Sequence, residues 1–230
     1  MTADLIDLMK SVDTPTICNA IEVAQGRRGF NGYTRGTPVA SHPEARMVGH
    51  ACTAKLAALA PPEEPAETIR ARRMDYYRAM AEAPAPAIAV IQDLDWPDCV
   101  GAYWGEINTT VHKGLGLAGA LTNGLVRDLG DLPDGFPVVA GSVGPSHAFV
   151  HIREIGGPVT VFGLRVAPGD LVHADRHGAV VVPPEVIPRL GDAIGKLLET
   201  ERIILDAARA PGFDFAAFEA AWAEFEAART

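Results

Sequence analysis

The chain has 230 residues, of which 48% are hydrophobic and 21% charged, with a formal net charge of −9. That is enough chain to bury a core without disulfides or a structural metal. The acidic balance, with no basic block interleaved with aromatics, argues against nucleic acid as the main partner. The opening stretch "MTADLIDLMK" has neither a basic start nor a sustained apolar run, so no leader is expected there. No stretch is apolar for long enough to span a membrane, and a membrane is not expected as a partner. Cys18, Cys52 and Cys99 are widely separated and form no C-x-x-C pair, which suits reduced thiols in a cytoplasmic protein. Along the chain, "DTPTICNAIEVA" predicts a helix, with Thr14 able to cap and Pro15 at the first helical position. Its Ile17, Ala20, Ile21 and Ala24 fall on one face. "MVGHACTAKLAAL" predicts a strand. A helix follows within residues 61–86 and is closed by the prolines after Ala83. "AIAVIQDL" is a short apolar run with a polar end, the pattern of a buried strand with an exposed carboxyl end.

Next, "WGEINTTVHKGLG" predicts a helix start and body, and "LAGALTN" another buried strand. Strand, helix and strand from Ala87 to Asn123 make a βαβ unit, so its strands are expected to be parallel, with ligands at their carboxyl ends. Asp93, Glu106, Asn123, Arg127 and Asp128 all fall near such ends or at the following helix start. "FPVVAGS" and "GPVTVFGLRV" are further strand candidates. "PGDLVHADRHGAVVVP" predicts two strands around a turn, its His173 and His177 in a solvated hairpin and its Asp170 and Asp175 on turn amides. Residues 184–209 and "FDFAAFEAAWAEFEAART" predict helices. The stripe Phe215, Phe218, Trp222 and Phe225 on the second of these is expected to pack on this chain or on a neighbouring subunit.

The stretch "LTNGLVRDLGDL", residues 121–132, sets Arg127 beside Asp128. Alone, such a pair reads as a surface ion pair or a helix cap. Its company points elsewhere. Gly105-Glu106 opens a helix in the same βαβ unit, and a helix N-terminus offers free N–H groups and a positive dipole end to a carboxylate. Arginine adds a planar fork of donors, and aspartate adds hard oxygens for a divalent cation. His147-x3-His151 would have metal-ligand spacing on a helix, but Pro145 and the β-branched context predict a loop running into a strand. His147 reads better as a substrate-pocket residue. "GLGLAG" precedes a strand instead of following one, so it is not a dinucleotide loop, and neither a Walker A nor a G-x-S-x-G pattern occurs.

These segments resemble the RraA-like family, which includes the class II 4-hydroxy-4-methyl-2-oxoglutarate/4-carboxy-4-hydroxy-2-oxoadipate aldolases. "TPTICNAIE" looks like the family's opening helix, and "MVGHACTAK" like its first core strand. "WGEINTTVHKGLGLAGALTNGLVRD" is similar to its central signature, and "PGDLVHADRHGAVVVP" to its later hairpin. The resemblance implies an α/β fold of the swivelling β/β/α type over residues 1–183, with residues 184–230 as a C-terminal helical extension of the same domain. It implies homotrimers or homohexamers with sites between subunits. It also implies a divalent metal, Mg²⁺ or Mn²⁺, and the release of pyruvate from a small α-keto acid by retro-aldol cleavage or by decarboxylation of oxaloacetate.

Carried over by position, the resemblance makes Asp128 the metal ligand and gives Arg127 the substrate's keto oxygen and carboxylate. The turn at Gly105 and the amides of Ile107 and Asn108 would receive the carboxylate, and Glu106 would orient a water at the metal. Glu199 or Glu201 of a neighbouring subunit could complete the metal's surroundings. Where the family usually has Asp-Gly before x-x-Arg-Asp, this chain has Asn123-Gly124. The asparagine keeps the turn geometry and removes a charge beside the site. The histidines of "GSVGPSHAFVHI" also depart from the characterised aldolases, so the distal half of the substrate can differ. Lys113 and Lys196 lie on helical stretches away from strand ends, which favours metal over imine chemistry for the enolate. The alternative from another class is a non-catalytic regulator that binds a protein partner such as a ribonuclease.

Overall fold

The computed structural model describes residues 2–229. Its elements run α1 (Ala3–Ser11), α2 (Thr14–Gln25), β1 (Val39–Ala40), β2 (Met47–Ala57), α3 (Ala66–Ala81), β3 (Ala87–Asp93), β4 (Ala102–Trp104), α4 (Glu106–Gly114), β5 (Leu117–Thr122) and β6 (Leu125–Val126). They continue with β7 (Val138–Ala140), β8 (Ser142–Val143), β9 (His151–Ile155), β10 (Val159–Val161), β11 (Leu164–Val166), β12 (Leu171–Asp175), β13 (Gly178–Val182), α5 (Ile187–Arg209) and α6 (Phe215–Arg229). This is the expected mixed α/β class with helices at the C-terminal end. Two compact units divide it: the residues up to Thr14 with Asn31–Val182, and Pro15–Phe30 with the residues from Pro183 on.

The first unit is built on an eight-stranded sheet in the order β1-β7-β5-β3-β2-β12-β13, with β9 also paired to β2. The βαβ expectation holds, since β3 pairs in parallel with β5 and with β2. These central strands are apolar on both faces because both are covered. Along β3, Ala87, Ala89 and Ile91 join one core with Leu56, Tyr76, Trp104 and Phe136. Ile88 and Val90 join the opposite core with Met47, Leu121, Val161 and Val172. A second, three-stranded parallel sheet, β4-β6-β8, was not expected from the sequence. Its strands are two or three residues long, too short to show a period.

The remaining differences are local. Helix α1 forms where no element was assigned, capped by the Thr2 hydroxyl, which accepts from the Leu5 amide at 3.3 Å. "GPVTVFGLRV" is not one strand but the β10–β11 hairpin, turned at Phe162-Gly163, both with positive φ. In the second unit, Ile17, Ala20, Ile21 and Ala24 of α2 are buried as their spacing predicts. Helix α5 buries Leu190, Ala193, Ile194 and Leu197. The α6 aromatics stack in sequence, with ring centroids 6.1, 5.6 and 5.4 Å apart from Phe215 through Phe218 and Trp222 to Phe225. Among the described residues no helix is long and apolar enough to cross a membrane.

Candidate functional site

The small sheet explains how distant residues meet. Strand β4 leads into α4, and its neighbour β6 leads into Arg127-Asp128, so pairing β4 with β6 sets the start of α4 beside that dipeptide. The Arg127 amide fixes the register by donating to the Trp104 carbonyl at 2.8 Å. The next residue, Asp128, has φ +55°. This is the left-handed region, which aspartate tolerates better than most residues. Its carboxylate is thereby turned back onto the helix end, where Oδ2 accepts from the Glu106 amide at 3.1 Å. The same oxygen lies 3.5 Å from Arg127 Nε. Asp128 thus caps a helix whose own N-cap residue, Gly105, has no side chain.

A side chain at 105 would push the Arg127–Asp128 pair aside. A Cβ there would stand 2.5 Å from Asp128 Oδ2 and 2.8 Å from Arg127 Nε. Part of the helix end stays open. The Thr109 amide closes the first turn onto the Gly105 carbonyl at 3.0 Å, while the amides of Ile107 and Asn108 have no acceptor among the described residues. Arg127 Nε is buried and makes no hydrogen bond. Both members of the pair are partly open to solvent, with side-chain exposures of 31% and 35%. Oriented N–H donors, a guanidinium and a carboxylate therefore converge at one helix start, an arrangement that can hold an α-keto acid.

Arg127, Ile107 and Asn108 line one cavity of about 480 Å³, together with His147, His151, Tyr77, Tyr103 and Arg73. His147 stands on a loop and His151 begins β9, as expected, so the helical metal-ligand spacing does not arise. His147 Nδ1 is bonded to the Ala148 carbonyl at 2.7 Å, and His151 Nδ1 to the Phe149 carbonyl at 2.7 Å. Gly105, Glu106, Arg127 and Asp128 are brought together, whereas Asn123 does something else. Its Oδ1 accepts from the Asp93 amide at 2.7 Å, and its Nδ2 donates to the Asp93 carbonyl at 3.0 Å. The side chain continues the β3–β5 ladder by one rung. An ionised aspartate could not donate the second bond, which gives Asn123 a structural reason. The Asp93 carboxyl is fully buried, and burial pushes it up from its usual range. Glu199 and Glu201 lie on α5, Glu199 exposed and Glu201 half-buried.

Arg73, Tyr77 and Tyr103 were missed. A signal existed: Ile69, Arg73 and Tyr77 are spaced i, i+4, i+8 and share one face of α3. That this face lines the cavity depends on tertiary contact, including the bond from the Tyr77 hydroxyl to Asn108 Oδ1 at 2.6 Å. One expectation is corrected. His173 does not sit in a solvated hairpin but is completely buried, held by Thr14 Oγ1 at 2.9 Å and by the carbonyls of Met9 and Val12 at 3.0 and 3.2 Å. The Thr14 hydroxyl is therefore engaged with a histidine, while the Thr14 amide donates to Asp175 Oδ2 at 2.9 Å. The turn-amide role does hold for Asp170, which accepts from Ala167 at 2.7 Å, and for Asp175, which accepts from His177 at 2.8 Å.

Could these residues hold a divalent metal? Among the described residues no three His, Cys, Asp or Glu side chains gather closely enough to enclose an ion by themselves. Asp128 keeps one oxygen without a protein partner, and Glu106 stands exposed at the adjacent helix start. Two hard carboxylates with room for water and substrate oxygens suit Mg²⁺ or Mn²⁺, which keep much of their hydration and need few protein ligands. The donor set fits such an ion. A second cavity, of about 620 Å³, lies in the C-terminal unit and mixes Glu22 and Glu226 with Arg27, Arg28 and Lys196.

Comparison with known proteins gives this geometry a context. Residues 14–181 match the family model described as RraA-like, Aldolase/RraA. The "Putative 4-hydroxy-4-methyl-2-oxoglutarate aldolase" of Halalkalibacterium halodurans is 30% identical over 124 residues, 52% of this chain and 58% of that protein. The match spans about half the length of the curated relatives. Among solved structures, an uncharacterised protein from Pseudomonas syringae covers 97% of this chain and 95% of its own, with a TM-score of 0.73 and 22% identity. Streptomyces coelicolor RraAS2, described as an unusual member of the RNase ES inhibitor RraA protein family, covers 88% of this chain and 96% of its own, with a TM-score of 0.67 and 22% identity. At that identity the structural likeness speaks to fold alone.

Proposed function

The chain belongs to the RraA-like family, and from that premise we propose that it is a divalent-metal-dependent carbon–carbon lyase releasing pyruvate from a small 4-hydroxy-2-oxo acid or 2-oxo dicarboxylic acid. The observation that carries this reading is the Arg127–Asp128 pair held against the open start of α4. The name of the Halalkalibacterium relative points the same way.

In this reading the amides of Ile107 and Asn108 receive the substrate carboxylate, aided by the positive end of the α4 dipole. Arg127 donates to the keto oxygen, and its fork holds the pyruvyl group in one plane. Asp128 would hold the cation, with Glu106 beside it to orient a water, and the cation when bound supplies a Lewis acid to the developing enolate oxygen. Glu106 takes the C4 hydroxyl proton, directly or through a water, within reach of the reacting end. The C3–C4 bond then breaks, its electron pair passes to the enolate, and C3 is protonated to give pyruvate. With a 2-oxo dicarboxylic acid such as oxaloacetate, the same bond breaks with loss of CO₂ and no hydroxyl proton is moved. His147 closes the pocket over the substrate.

The proposal includes assembly into trimers or hexamers with sites between subunits and Glu199 or Glu201 supplied across the interface. The exposed Phe215 and Trp222 of α6 support it. A monomeric mass by light scattering at micromolar concentration would remove that part. The test of the reaction is pyruvate release from oxaloacetate and from 4-hydroxy-2-oxo acids, with added Mg²⁺ and with EDTA. EDTA should abolish turnover and excess Mg²⁺ restore it. No release from any of these acids would leave the regulator that binds a protein partner as the better reading.

A further inference from the structure

Asn108 is tied down on every side but one. Its carboxamide Nδ2 donates to the Tyr103 carbonyl at 2.6 Å, and its Oδ1 accepts from the Tyr77 hydroxyl at 2.6 Å. A carbonyl can only accept, so the orientation of the carboxamide is fixed. The main-chain carbonyl of Asn108 accepts from His112 Nδ1 at 2.6 Å. His112 Nε2 in turn accepts from the Tyr76 hydroxyl at 2.6 Å, and both of these rings are completely buried. Carboxamide nitrogen, carboxamide oxygen and main-chain carbonyl are all held, while the Asn108 amide has no acceptor among the described residues.

Asn108 is the third residue of α4. From that place a polar side chain can reach back to the N-cap amide and close the helix end. Here the side chain reaches past the N-cap to Tyr103 in β4. The helix start is thereby fastened to β4 and, through Tyr77, to α3, while its amides at Ile107 and Asn108 stay unused. A closing cap would serve stability as well. An end that is fastened but open serves a ligand, because donors already in place need no reorganisation when it arrives. Tyr77 and Asn108 both line the cavity beside Arg127.

We propose that Tyr77 is a positioning residue whose hydroxyl acts through the Asn108 carboxamide to hold the amides of Ile107 and Asn108 in line with an incoming carboxylate. This rests on the reading of that helix end as the carboxylate site, and it adds to the site a residue that touches no reacting atom. His112 braces the same residue from the buried side. Burial brings its pKa down to about 4, so the ring stays neutral, with Nδ1 as donor and Nε2 as acceptor.

The test is a double-mutant cycle of Tyr77→Phe and Asn108→Ala, with KM and kcat measured on whichever accepted keto acid is cleaved fastest. Each single variant should raise KM by about tenfold and leave kcat within about twofold, because the amides bind the carboxylate in ground and transition states alike. The double variant should be no worse than Asn108→Ala, since Tyr77 acts only through Asn108. A fall in kcat at unchanged KM would mean a merely structural role and overturn the assignment, as would no effect of Tyr77→Phe. Additive losses would show Tyr77 acting on the ligand directly, which also overturns it. A calorimetric arm uses oxalate, a planar stand-in for the enolate of pyruvate, with Mg²⁺. If no acid is cleaved but oxalate binding weakens in the same non-additive pattern, the lyase reading fails and the positioning role stands. If no acid is cleaved and oxalate either does not bind or binds all four proteins equally, the positioning role falls.

Discussion

Two acid–base constellations end strands of the same unit, and they differ in almost every physical respect. At the end of β12, His173 and Asp175 are buried at 0% and 4% exposure. The histidine has Thr14, Met9 and Val12 as partners, and the aspartate accepts from the amides of Thr14 and His177. Just past β6, Arg127 and Asp128 are about one-third exposed. The arginine's Nε is buried without a hydrogen bond, and the aspartate holds a left-handed backbone. The first constellation fastens α1 and the start of α2 to the sheet. The second stays partly unsatisfied and mildly strained, which stability alone would not select. Polar groups paired in the fold report on folding, whereas groups left open at a strand end report on a ligand.

The sharpest way to break this contrast is Asp128→Asn. Asparagine tolerates the positive φ and can still accept from the Glu106 amide, so the fold should survive. The charge that would hold a cation is lost. Turnover should fall by on the order of a hundredfold or more, about 3 kcal/mol at the barrier, with the melting curve nearly unchanged. A folded variant with native turnover at low Mg²⁺ would return the pair to an ordinary ion pair.

Acid should strike the other kind of site. His173 is lowered by burial, and so is His112, which burial brings down to about 4. Buried His112 bonds to the Tyr76 hydroxyl at 2.6 Å and to the Asn108 carbonyl at 2.6 Å. The unfolded chain binds these protons near pH 6.5 and the folded chain only lower. Their contribution to stability is therefore complete above about 6.5 and is lost as pH falls towards about 4. For His112 alone the loss between pH 6.5 and 5 is on the order of 2 kcal/mol. Melting temperature should drop across that window. A flat profile would show that these histidines carry their protons in the fold.

Arg127→Lys is the gentlest of the three. Charge is kept and the planar fork is lost, so kcat/KM should fall by roughly tenfold or more for every accepted keto acid, whatever its distal group. A loss confined to one substrate would show that Arg127 reads the distal half instead.

Much of this was legible in the residues themselves. The apolar run of β3, the 3.6-residue spacing in α2 and the Gly105-Glu106 helix start are local patterns, because periodicity reports which faces are buried. The Arg127-Asp128 dipeptide after a buried strand was enough to suggest a ligand-facing end. What local pattern could not decide is which distant groups meet. Glu106 and Asp128 are 22 positions apart, and they touch only because β4 and β6, too short for any period, pair in parallel. His173 in β12 could equally have faced water, and only the packing of α1 on the sheet buries it. Arg73 is one of several charges along α3, and it is the Tyr77–Asn108 bond that sets its face against the start of α4. Sequence determines propensity and face over a few residues. Long-range strand pairing and side-chain packing decide which of those faces become a core and which become a site.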